Sequence, residues 1–326
     1  NNDNQDDNTS TYCFISKYSH GDPWSSLGLD ALGLLAMAQY QESTGDSSRY
    51  LDVAKGVASH IVSSQKEDGS LVQEQNIATG ELDEDAYVLY FPGEAAYALS
   101  KLVNVNSQNV PEVSEEELVL WKQTASKAMD YIVTRESKKS DKDFINDHWM
   151  MYAMAEMRPW HLTDGMMEFG IRTARIAHER QTTPDQIVQM QQEYDKMDEF
   201  GIYKSSLSAT ATATKSEGLC AILPMMMEEQ GNNQQAAVEV VDRMWKSLEY
   251  GIRYTLQAQH TPEVAMYMKD PGRIVGALSS NVRKRETRND YTQHNLSSYL
   301  CLMNLLQQES SGKSYLGDAG PDAIFG

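Results

Sequence analysis

The sequence predicts an all-α fold in which helical hairpins curl into a closed ring of five or six, and three observations predict it. First, a loop ending in an acidic first turn leads into a helix of small and apolar residues at Leu29–Ala36, Phe91–Leu99 and Ser216–Leu223. Looser copies lie at Asn146–Ala153 and Asn289–Leu296. Second, several of these helices are followed, after a turn signal, by a more polar partner. Third, β-branched runs are scarce and Met is abundant at 17, which favours helix over sheet. Connections of unequal length favour a ring over an open solenoid, whose repeats keep a strict period. In a ring, Asp30, Glu94, Asp147, Glu217 and Asp290 would face one cavity.

Taken in order, residues 1–25 read as leader and loop, and 26–326 as a single domain. A helix from Ser26 to Glu42 stops near Gly45, and a second from Ser48 to Gln65 carries Leu51, Ala54, Val57, Ala58 and Ile61 at helical spacing. Lys66–Ser70 is a tight turn, and residues 71–82 a loop or short hairpin. A third helix spans Gly93 to Val103. Ser114 followed by Glu115, Glu116 and Glu117 starts a fourth, with a capping hydroxyl and acids on the positive end of the helix dipole. The fifth spans Asp147 to Met157 and the sixth Thr163 to Arg180. A seventh begins at Pro184 with a mostly polar face. The helix around Glu217 contains Pro224, which should kink it. Its partner is Gln234 to Gln257. Residues 261–289 read as an irregular basic loop before a last helix, Asp290 to Gln308.

A chain of 326 residues can bury a sizeable core. Its formal charge of −19 excludes nucleic acid and anionic membrane surfaces as partners. No Gly-rich phosphate loop is present, so no nucleotide is expected. No apolar run approaches a transmembrane span. Of three cysteines, Cys220 and Cys301 fall in apolar helices and read as small buried hydrophobes. Without CxxC or HxxxH spacing, neither a metal nor a cofactor is expected. The polar, acidic start at Asn1–Ser10 reads as a tether left by an export signal, placing the protein in the periplasm or outside the cell.

The turn Gln65-Lys66-Glu67-Asp68-Gly69-Ser70-Leu71, with the helix starts at Phe91–Glu94 and Asp290–His294, resembles the α/α-toroid proteins, among them six-hairpin glycosidases, polysaccharide lyases and glucuronyl C5-epimerase-like domains. The chain departs from the cyclase and prenyltransferase branches, lacking their Asp-rich blocks and zinc ligands. The resemblance implies a carbohydrate-active protein with a glycan or oligosaccharide substrate.

Glycoside hydrolysis needs two carboxyl groups flanking the scissile bond, roughly 5–9.5 Å apart. Glu94 and Glu217 are the first choices for that pair, followed by Asp147 and Asp290, with His294 as a further acid or base. Asp30, Tyr87, Tyr90, Tyr97, His148, Trp149, Arg288 and Tyr291 are expected around the substrate. The structural alternative for each acid is dipole compensation in a first turn, worth about 0.3–1 kcal/mol. Within the enzyme class, the alternative to hydrolysis is a uronate-directed epimerase or lyase, in which Tyr or His removes a proton and Arg288 neutralises the uronate carboxylate. Outside it, the alternative is a non-catalytic toroid that binds a polysaccharide or a protein.

Overall fold

The computed structural model describes residues 12–19, 22–107, 110–184, 199–203, 208–231 and 235–310. Among them are eleven helices and one three-stranded sheet, so the all-α class holds at the level of the main elements. The polar helix expected from Pro184, the leader 1–10 and the tail from 311 lie outside the described residues, apart from Pro184 itself. The chain divides into two compact units, one of residues 1–142 and 152–166, the other of 143–151 and 167–326.

In the first unit, strand β1 (Ser16–Ser19) pairs antiparallel with β2 (Asp22–Ser26), and β2 with β3 (Glu74–Asn76), in the order β1-β2-β3. Ser16 stands opposite Ser25, and Trp24 opposite Asn76. The expectation of a bare leader over 1–25 is corrected here. These short polar strands carry no apolar alternation, and their backbone is satisfied by pairing with each other and, for β2, with the distant β3. Helices α1 (Leu27–Thr44) and α2 (Leu51–Ser63) form the first hairpin. Helices α3 (Phe91–Asn106) and α4 (Glu115–Ser137) form the second, and α1 packs along α3.

Helix α3 is buried on almost every face, which is why its sequence is apolar or small all round. Its one buried lysine, Lys101, is satisfied by Glu42 at 2.6 Å and Glu156 at 3.6 Å. Helix α4 begins with a complete capping box. Ser114 accepts from the Glu117 N–H, and the Glu117 carboxylate accepts from the Ser114 N–H.

Helix α5 (His148–Met157) and helix α6 (Asp164–Arg180) each begin in one unit and end in the other. The second unit is built on α7 (Ala209–Gly231), which packs against α8 (Gln235–Gln257) and the final helix, while Pro224 lies inside α7. The basic loop contains two single-turn helices, α9 (Pro262–Ala265) and α10 (Pro271–Ile274), before α11 (Asn289–Ser310). Cys220 on α7 and Cys301 on α11 form a disulfide, which corrects their reading as unreacted apolar side chains. A separation of 81 residues hides such a pair from any local pattern. The methionine clusters fill core gaps as expected, with Met150, Met151, Met166, Met225, Met226 and Met227 all buried.

A turn device recurs across both units. After α2, Gln65 Nε2 donates to the carbonyls of Gly69 (3.3 Å) and Thr124 (2.8 Å), and Gln65 bridges Leu71. After α6, Gln181 Nε2 donates to the carbonyls of Gly201 and Ser247, both at 2.9 Å, and Gln181 bridges Tyr203. After α8, Gln259 Nε2 reaches the Gly276 carbonyl at 3.5 Å, and Gln259 bridges Leu278. Each glycine has positive φ, at 90°, 85° and 88°, where a side chain is strained. The first two also press on a helix backbone, at the Lys127 and Tyr250 carbonyls. Three helices, α2, α6 and α8, thus end in the same type of turn.

Candidate functional site

The second unit gathers the densest set of chemically capable side chains, and the backbone explains how. Asp147 caps α5, its Oδ1 accepting from the Trp149 N–H at 3.2 Å, and this fixes the start of the helix that carries His148. Glu217 lies within α7, where Gly218 lets α5 come close. A Cβ at Gly218 would meet the Met151 side chain and stand 3.1 Å from the His148 Cα. His294, in the second turn of α11, completes the set.

Glu217 is 2 % exposed. Its Oε2 stands 2.8 Å from His294 Nδ1 and 3.8 Å from His148 Nε2. The other ring nitrogen of His148, Nδ1, is 3.6 Å from Asp147 Oδ1. The two imidazoles meet edge to face with centroids 5.3 Å apart, and Trp149 covers His148 at 4.8 Å. Burial pushes the His148 imidazole well below its ordinary pKa, with the charges of His294 and Lys215 acting the same way, so the ring is neutral at pH 7. Lys215 is itself lowered to about 8 by desolvation, against the pull of Asp147, and its ammonium donates to the Asn146 carbonyl at 2.6 Å. The cluster thus combines a hydrogen-bonded carboxylate–imidazole pair, a second imidazole kept neutral, and a nearby cation.

Of the other expected site residues in this unit, Asp290 and Arg288 bind each other. Two bonds of 3.0 and 2.9 Å join them near the surface, and the guanidinium lies 4.9 Å over the Tyr291 ring. Arg288 is therefore engaged by its neighbour two residues away.

The first unit holds the rest. Asp30, buried at 1 % exposure, accepts from the Ile15 N–H (2.5 Å) and Ser25 Oγ (2.8 Å), and its Oδ2 stands 3.0 Å from His60 Nδ1. Burial alone would lower His60, but the hydrogen bond and charge of Asp30 outweigh it and raise the imidazole above its ordinary value. This pair borders a cavity of about 270 Å³ lined also by Ser63, Gln73 and Gln75. Glu94 is buried in the first turn of α3. Tyr97 stacks on Tyr152 at 5.2 Å, Tyr90 meets Phe91 edge-on, and Tyr87 is exposed beneath Arg135. Asp30 and Glu94 thus belong to one compact unit, and Asp147, Glu217 and Asp290 to the other.

Sequence reasoning missed His60 and Lys215. His60 sits between Ser59 and Ile61 with no motif around it, and Lys215 lies two residues before Glu217 in a Thr-rich stretch that reads as a lead-in. It also missed that His148, Glu217 and His294 each offer a ligand atom within 4.8 Å of the other two, since three helices supply them and no local spacing reports it. Among the described residues no helix is long and apolar enough to cross a membrane. No family model matches the chain, and no curated protein shows significant similarity to it.

Proposed function

We propose that this chain is an exported, glycan-acting enzyme of the α/α-toroid class, whose chemistry is proton transfer centred on Glu217, His294 and His148. The observation that carries the reading is the Glu217–His294 pair at 2.8 Å beside a neutral His148. A carboxylate facing Nδ1 fixes the tautomer and orientation of an imidazole and leaves Nε2 as the working base. His148, uncharged at pH 7, is a second imidazole, with its Nε2 3.8 Å from the same Glu217 oxygen. Lys215 adds a positive field of the kind that steadies a uronate carboxylate while the adjacent carbon loses its proton. These features favour the uronate-directed epimerase or lyase chemistry over hydrolysis, which needs two carboxyl groups facing each other across a bond. The recurrent Gln–Gly turns support the toroid class, and the Cys220–Cys301 disulfide supports export.

The test is incubation with neutral and acidic oligosaccharides in deuterated water. Proton abstraction gives deuterium at the carbon beside the carboxylate, or an unsaturated uronate, with acidic oligosaccharides only. New reducing ends without deuterium or unsaturation would move the assignment to hydrolysis. Binding without any turnover would make the chain a glycan-binding module.

A further inference from the structure

The geometry points to a divalent transition-metal site formed by His148, Glu217 and His294. Around a zinc ion with bonds of about 2.0–2.2 Å, tetrahedral ligand atoms stand roughly 3.4 Å apart. Here His294 Nδ1 and His148 Nε2 lie 2.8 and 3.8 Å from the same Glu217 oxygen, and one ligand atom from each residue falls within 4.8 Å of the others. Side-chain rotations that shift each ligand atom by up to about an ångström would bring all three to one ion. Two imidazoles and one carboxylate suit zinc, cobalt or iron better than calcium or magnesium, which prefer all-oxygen shells. Three protein ligands leave a fourth position open.

Two further features fit an ion here. When Nε2 of His148 turns to the metal, its Nδ1 faces Asp147 at 3.6 Å, the carboxylate–histidine arrangement that orients metal-binding imidazoles. The donor-bearing helices are also held rigidly. The disulfide ties α7 to α11 one turn beyond Glu217, and Gly218 sets the approach of α5. The opposing influence is Lys215, whose positive charge lies close enough to act on His148. This inference goes beyond the proton-transfer reading and does not depend on it, because binding can be measured without a substrate. It uses the same side chains, so a bound ion would occupy the atoms that the metal-free chemistry needs.

The experiment is titration of the chelator-treated, disulfide-intact chain with Zn2+ by calorimetry and with Co2+ by visible absorption. One ion per chain is expected, with the intense visible bands of four-coordinate cobalt. His148→Gln, Glu217→Gln and His294→Gln should each weaken binding at least tenfold, while His60→Gln leaves it unchanged. Asp147→Asn, which keeps all three ligands, should weaken it by about ten- to a hundredfold. Circular dichroism of each variant separates loss of a ligand from loss of fold. Absence of stoichiometric binding by the intact chain, or equal binding by the well-folded His148→Gln and His294→Gln variants, overturns the site. Oligosaccharide turnover measured with chelator and with Zn2+ is a separate readout. Turnover that persists in chelator and falls with Zn2+ supports metal-free proton transfer, and binding without turnover would count against the enzyme reading alone.

Discussion

Glu217 Oε2 lies 2.8 Å from His294 Nδ1, a buried carboxylate holding an imidazole that comes from a helix 77 residues further along the chain. The same relation appears in the first unit, where Asp30 Oδ2 lies 3.0 Å from His60 Nδ1. Asp30 sits in the first turn of α1 as the sequence predicts, whereas Glu217, expected in a first turn, lies in the third turn of α7, because that helix starts eight residues earlier, at Ala209. The two settings differ in what surrounds the acid. Asp30 also accepts from a backbone N–H and a serine hydroxyl, whereas Glu217 has a second imidazole at 3.8 Å. That difference makes the first pair a brace and the second a candidate for chemistry.

If Glu217 positions His294, Glu217→Gln and His294→Gln should each lower kcat by about 10²–10⁴-fold on whichever acidic oligosaccharide the enzyme turns over. The two losses should not add in the double variant, because both remove one unit. Steady-state kinetics of the three variants checks this, and an additive double variant would separate the two roles.

Gly218→Ala should push α5 away from α7, because the new Cβ meets both the Met151 side chain and the His148 backbone. Overpacking of this kind costs about 1–3 kcal/mol. Denaturant unfolding should show that loss, and turnover should fall further than stability alone explains, since His148 moves with the helix.

Lys215 gives a pH signature. Its folded value of about 8 lies below the ordinary lysine value of 10.5. Between those limits the unfolded chain binds the extra proton, so stability of the wild type should rise as pH increases from about 8 to 10.5. Below pH 8 both states are protonated and the burial cost is fully present. In Lys215→Met this part of the slope should vanish, as urea unfolding at pH 7 and 10 would show.

The Asp30–His60 pair works in the opposite direction. His60 is raised in the folded state, so its contribution is complete below the unfolded imidazole value and is lost as pH rises through the folded one. Asp30→Ala removes the partner of a part-buried N–H and two side chains. It should destabilise the first unit by roughly 2–5 kcal/mol, read as a lower Tm.

Most helix starts could be read from the residues because their signals are local. Ser114 with Glu117 is a complete cap within four positions, and Pro92 occupies the first turn of α3 where its missing N–H costs nothing. The sheet could not be read, since Ser16–Ser26 contributes backbone pairing rather than pattern. Of the repeated turns only Gln65–Gly69 was visible, because insertions stretch the copies at Gln181–Gly201 and Gln259–Gly276. Asp290 looked like its counterparts in sequence, yet Arg288 claims it through a fork that geometry alone discloses. Glu217 and His294 were legible as single residues, and their union was not.

The bond between Cys220 and Cys301 makes the conditions of synthesis part of the site. A chain produced where glutathione keeps thiols apart could form every helix described and still leave His294 free to drift from Glu217. Material made that way should give a normal far-ultraviolet spectrum with impaired chemistry, and air oxidation should restore it.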